Sequence, residues 1–126
     1  MTCVLDASAI LALFNGETGC DAVARLGRGG FLSAVNATEV LTKQHDLNVP
    51  FDTAAELLDG LQLSIVGFDT SRAVAAARLR PMTKALGLSL GDRACLALAI
   101  ELSLPVLTAD RPWQRLDLGV EIQLIR

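Results

Sequence analysis

A chain of 126 residues, 52% of them hydrophobic and with a formal net charge of −3, is long enough for one well-packed domain and too short for two of ordinary size, so one domain over 1–126 is expected. No apolar run approaches the roughly 20 residues of a bilayer-spanning helix, and Met1-Thr2-Cys3-Val4-Leu5 leads to Asp6 without a basic stretch, so no membrane span or secretory signal is expected and a cytoplasmic address follows. Cys3, Cys20 and Cys95 are widely separated and His45 is the only histidine, which argues against a disulfide framework, a zinc site and a multi-histidine centre.

Thr2 to Leu5 predicts a short strand ending at Asp6, and Ala7 to Phe14 a helix that runs to the Asn15-Gly16 breaker. A second helix is expected over Cys20 to Leu26, stopped by Gly27-Arg28-Gly29-Gly30, then a very short strand at Phe31-Leu32-Ser33 and a helix from about Ala34 to His45. Pro50 suits an early helical position, and Phe51, Ala54, Leu57, Leu58 and Leu61 repeat at helical spacing before the alternating Leu63 to Phe68 strand. Asp69 or Thr70 caps an Ala-rich helix from Ser71 to about Leu79, which stops near Pro81 and gives way to a loop through Gly87. Ser89 and Asp92 have capping-box spacing, opening a helix to Leu102 that is apolar on nearly every side and therefore belongs in the centre of the fold. Pro105 to Thr108 is a strand, Arg111 to Leu116 a turn or short helix, and Val120 to Ile125 a closing strand. Repeated strand-helix units of this kind predict a three-layer α/β/α fold with a mostly parallel sheet of about five strands.

In such a sheet, ligands sit beyond the strands' carboxyl ends. Asp6 and Asp110 each follow a predicted strand, and Asp92 lies in the first turn of the central helix, so three carboxylates are directed to one crevice. Glu39 is a plausible fourth, with Asn36 one turn before it and Lys43 one turn after it on the same helix face. Each acid taken singly also reads as a turn or cap residue; their convergence favours a functional set. Clustered carboxylates repel unless a positive charge sits among them, and a hard cation such as Mg2+ or Mn2+ takes oxygen ligands while keeping sites open for substrate phosphate. Activation of a water for in-line attack at phosphorus then fits, which is phosphodiester hydrolysis. With the four acids set aside, ten acids remain against eleven bases, so the net acidity does not oppose binding to RNA.

Four segments carry a family resemblance: Asp6-Ala7-Ser8-Ala9, Ser33 to Val40, Leu88 to Ala99, and Thr108-Ala109-Asp110-Arg111-Pro112-Trp113. In order and over essentially the whole chain, they resemble a PIN-domain toxin of the VapC type. The resemblance implies a Mg- or Mn-dependent endoribonuclease, neutralised by a VapB-like antitoxin and commonly homodimeric. By it, Asp6, Asp92 and Asp110 hold the metal and Glu39 reaches it through water, while the hydroxyls of Ser8 and Thr108 orient carboxylates or waters. Asn36 is placed to steady Glu39, and Trp113 to pack over the site's edge. With five aromatic residues in the chain no base-stacking platform is visible, so RNA phosphate contacts are sought among Arg93, Arg111 and Arg115 beside the acids and in the basic stretch Arg78, Arg80 and Lys84.

Three other readings compete. A receiver-like signalling domain needs a lysine after a late strand, and none lies beyond Lys84; a haloacid-dehalogenase-like phosphatase needs Asp-x-Asp after its first strand, where Ser8 stands here. The third is a catalytically silent PIN-like module that binds RNA or protein, against which the complete set of four acids argues.

Overall fold

In the computed structural model, which describes residues 2–126, four of the helices begin where the sequence supplies a short oxygen-bearing side chain. Asp6 accepts from the backbone N–H of Ala9 to open α1 (Ala7–Phe14), and Ser33 accepts from that of Val35 to open α3 (Ala34–Asp46). Asp69 accepts from that of Arg72 at the start of α5 (Thr70–Arg78), and Ser89 and Asp92 complete a reciprocal capping box on α7 (Leu90–Leu102). Each such cap satisfies an otherwise orphaned backbone donor and contributes about 1 kcal/mol. The remaining helices are α2 (Cys20–Leu26), α4 (Phe51–Gly60) and α6 (Arg80–Thr83).

The strands are β1 (Val4–Leu5), β2 (Phe31–Ser33), β3 (Ser64–Val66), β4 (Val106–Thr108) and β5 (Ile122–Leu124), in the order β3-β2-β1-β4-β5. All four pairings are parallel. The chain moves outward from β1 through β2 to β3, then returns to lay β4 on the other side of β1. That reversal places a crevice at the carboxyl ends of β1 and β4, where Asp6 and Asp110 leave the sheet.

Side-chain alternation along the strands divides the interior into two cores. Leu5, Leu32 and Leu107 face the layer of α1 to α4, whereas Val4 and Val106 face α5 and α7. Each of these five is fully buried, a gain of about 1.5–3 kcal/mol per side chain. The expected place of α7 at the centre is found: Ala94 to Ala99 are all buried, and the helix packs on β1, β2, β4, α3 and α5.

Three local expectations are corrected. Pro81 does not precede a loop but sits in the first turn of α6, where its missing N–H costs nothing, and a 3-10 turn over Lys84–Leu86 follows. The strands expected over Leu63 to Phe68 and Val120 to Ile125 shrink to three residues each, because the edge strands β3 and β5 can pair only along the three-residue β2 and β4 beside them. Trp113, expected to pack over the site's edge, is fully buried in the α5–α7 core, underneath Asp110 rather than on the surface.

Candidate active site

Asp6 is the most constrained acid. It leaves β1 as the cap of α1, so one carboxylate oxygen accepts from the Ala9 N–H at 3.0 Å. The Ser8 hydroxyl donates to the same carboxylate at 2.7 Å, and Thr108 Oγ1 donates to its other oxygen at 2.6 Å. Ser8 Oγ in turn accepts from the Ala109 N–H, and Thr108 Oγ1 from the Asp110 N–H, each at 3.0 Å. One connected network therefore ties the end of β1 to the end of β4 and fixes where Asp6 and Asp110 stand.

The second pair of acids comes from two helices. Asp92 Oδ2 accepts from the Ser89 N–H at 2.9 Å, which holds the carboxylate on the first turn of α7. Glu39, midway along α3, accepts from Asn36 Nδ2 at 2.9 Å, and the same amide donates to the carbonyl of Gly91 at 3.0 Å. Both Asn36 hydrogens are thereby used, and its Oδ1 is left buried without a partner. Gly91 allows the close approach of α7 to α3, since a Cβ there would collide with the Glu39 carboxylate.

Asp6, Glu39, Asp92 and Asp110 line a single cavity of about 310 Å³, together with Ser8, Asn36, Glu17, Lys43 and Arg126. Their proximity is visible in the electrostatics. Burial, opposed by the bonds from Thr108, Ser8 and Ala9 and reinforced by the charge of Asp92, pushes the Asp6 carboxyl up to about 6. Burial and then Asp92 also raise Asp110. Beneath the cavity, burial and the charges of Asp6, Asp92 and Glu39 push the Cys95 thiol well up.

The site residues expected from sequence, Asp6, Glu39, Asp92, Asp110, Ser8, Asn36 and Thr108, are thus brought together; of these Thr108 acts from behind the wall, through Asp6. The expected phosphate-contacting cations are not. Arg93 donates from α7 to the Ala76 carbonyl at 3.2 Å and Arg80 to the Leu88 carbonyl at 3.3 Å. Neither these two nor Arg78, Lys84, Arg111 and Arg115 line the cavity. The cations that do are Lys43, whose place one turn after Glu39 was a usable signal, and Arg126, for which the sequence carried none.

Among the described residues no three His, Cys, Asp or Glu side chains form a ready-made metal cage. The acids instead ring an open cavity. An all-oxygen donor set, in which burial and the charge of Asp92 raise the Asp6 and Asp110 carboxyls, suits a hard divalent cation that keeps part of its water.

A PIN-domain family model matches residues 3–118, and the chain belongs to that family of nucleases, which are generally dependent on a divalent metal. Among solved structures, it is similar to a toxin-antitoxin complex from Klebsiella pneumoniae, with a TM-score of 0.77 and 18% identity over 99% of this chain and 98% of that one. It is also similar to DNA-bound VapBC from Salmonella typhimurium, with a TM-score of 0.72 and 17% identity over 100% and 99% of the two chains. A third is VapBC2 from Rickettsia felis bound to a fragment of promoter DNA, with a TM-score of 0.70 and 16% identity over 98% of each chain. At these identities the likeness establishes the shared fold. No curated protein sequence matches the chain.

Proposed function

We propose that this protein is a Mg- or Mn-dependent endoribonuclease and the toxin of a VapBC-type pair, acting in the cytoplasm and restrained by a VapB-like antitoxin. The observation that carries the proposal is the meeting of Asp6, Glu39, Asp92 and Asp110, from four separate segments, around one cavity at the carboxyl edge of the sheet. The assignment to toxin-antitoxin systems is supported by the sequence motifs and by the toxin-antitoxin complexes among the structures of like fold. A homodimer is the assembly we expect.

In this scheme Asp6, Asp92 and Asp110 hold the cation, and Glu39 reaches it through water. When bound, the cation supplies a Lewis acid that makes water a competent nucleophile at neutral pH and offsets charge on the phosphate undergoing displacement. The protein's part is to orient these groups. Ser8 and Thr108 hold the Asp6 carboxylate in one position, so little reorganisation is needed during reaction. The amide of Asn36 fixes Glu39 by donating to its carboxylate and to the Gly91 carbonyl. Glu39 is then placed to take a proton from the attacking water.

The deciding experiment is cleavage of total cellular RNA by protein purified free of antitoxin, with Mg2+ or Mn2+, with chelator, and with Asp6→Asn or Asp92→Asn. Discrete fragments that vanish with chelator and with either substitution are expected. Identical patterns from wild type and variants would assign the cleavage to a contaminant and return the protein to the class of silent binding modules.

A further inference from the structure

The cavity wall contains five acids, Asp6, Glu17, Glu39, Asp92 and Asp110, and two cations, Lys43 and Arg126. The two cations differ in what holds them. Arg126 is committed, with Nη1 bonded to Glu17 at 3.0 Å and to the Thr18 carbonyl at 3.1 Å. Gly19, with φ of +96° and Ile125 packed where a Cβ would stand, lets the residues after β5 pass close enough to α2 for this pairing to form.

Lys43 has no ion-pair partner among the described residues. That is unexpected on local grounds. Glu39 and Lys43 are four apart on α3 in the favourable order, and such residues ordinarily pair across one helical turn. Here the carboxylate of Glu39 is bonded by Asn36 instead, and the Lys43 ammonium is left uncommitted at the cavity. Lys43 also lines an adjoining hollow with Leu11, Asn15, Glu17, Asp46 and Leu47. Leu11, Glu17 and Lys43 are common to both hollows, so the acid cavity opens past Lys43 along α3.

We propose that Lys43, with Arg126 beside it, receives the backbone phosphate of the nucleotide next to the cleaved bond and sets the direction of the RNA strand from the acids along α3. An uncommitted ammonium beside a ring of carboxylates attracts a polyanion at the one place where the acids otherwise repel it. The proposal rests on the nuclease function proposed above and assigns to Lys43 a phosphate contact at the cavity itself, which none of the six cations expected from sequence lines.

The test is steady-state cleavage, with Mg2+, of a short single-stranded RNA spanning a cleavage site mapped in total RNA, for wild type, Lys43→Gln, Lys43→Arg and, at an exposed turn before β2, Arg28→Gln, over a series of salt concentrations. For Lys43→Gln the expected result is a KM raised about tenfold with kcat within about twofold. The slope of log kcat/KM against log salt should also become shallower by about 0.7, the value for one phosphate contact on a single strand. Lys43→Arg should restore both, and Arg28→Gln should change neither; unchanged melting temperatures separate this from misfolding. Wild-type cleavage with an unaltered KM and salt slope in Lys43→Gln overturns the role of Lys43 alone. A kcat loss without a KM change overturns it too, and absence of cleavage by wild type overturns the nuclease function and this inference with it.

Discussion

Two hollows of nearly equal size lie at opposite ends of the same sheet, about 310 Å³ at the carboxyl edge and about 290 Å³ at the amino edge. Size does not distinguish them. The first collects acids from β1, α3, α7 and the turn after β4, with hydroxyls and an amide that hold them in place. The second is lined by Ala99, Ile100, Leu104, Pro105, Leu118 and Val120, with Ser103 and Glu121 as its polar side chains. Parallel strands deliver every strand-ending residue to the same side, and helix N-termini point there as well, so one edge concentrates charge and the other receives helix C-termini and strand starts. Function on this fold is a matter of which edge carries the polar investment.

That contrast can be broken most directly by catalysis. Asp6→Asn, Asp92→Asn and Asp110→Asn should each reduce cleavage by on the order of 10²–10³-fold, while Glu121→Gln at the opposite hollow should leave the rate within about twofold. Equal losses at both edges, read in the same cleavage assay, would sink the distinction.

Stability supplies the next largest contrast. Asp6 is 4% exposed and its carboxyl rises to about 6 from 3.8, by burial first, so the metal-free folded state binds the proton more tightly than the unfolded chain. This contribution is fully present below pH 3.8 and is lost as pH rises toward 6, by up to about 3 kcal/mol. Urea unfolding in chelator at pH 4 and pH 7 should show that loss in wild type and a smaller one in Asp6→Asn. Added Mg2+ or Mn2+ should restore wild type at pH 7 with little effect on the variant. A wild-type protein indifferent to the cation at pH 7 would count against the acids as its ligands.

The hydroxyls behind Asp6 come third. Thr108→Val keeps shape in β4 but removes the donor to Asp6 and the acceptor for the Asp110 N–H, and a loss of about 10–100-fold in kcat is expected, with the affinity for metal reduced. Isothermal titration with Mn2+ alongside kinetics checks both arms. Ser103→Ala, at the amino-edge hollow, should do neither.

How much of this was legible depended on whether the chemistry was local. Strand-ending Asp6 and Asp110, the Ser89 and Asp92 capping box and the period of α7 are set by neighbours within one turn, and all appear as expected. Ser8 and Thr108 were found as motif positions, although their joint hold on Asp6 spans β1 and β4. What the sequence hid was long-range. Arg126 meets Glu17 across 109 positions, and the guanidinium of Arg93, adjacent to an acid in sequence, is drawn away to the Ala76 carbonyl by the packing of α5 on α7. The edge strands are shorter than their own alternation implies, because that alternation says nothing of how short a strand's partner is.

Gly91 provides the smallest and most discriminating prediction. A glycine costs up to about 1 kcal/mol relative to alanine in a helix interior and less in the first turn, where Gly91 lies, so intrinsic propensity favours alanine at position 91 only slightly. The fold opposes it, because the new Cβ would meet the Glu39 carboxylate, the flexible end of a side chain that can move aside. Gly91→Ala should therefore leave the melting temperature nearly unchanged while displacing Glu39 from the cavity and from Asn36, with kcat falling about tenfold and KM for RNA unaffected. Glu39→Gln in the same background should add little, since the group it alters has already been moved. If the two substitutions instead multiplied, Glu39 would still be in place beside Ala at 91, and the close approach of α7 to α3 would have to be read as packing rather than as part of the site.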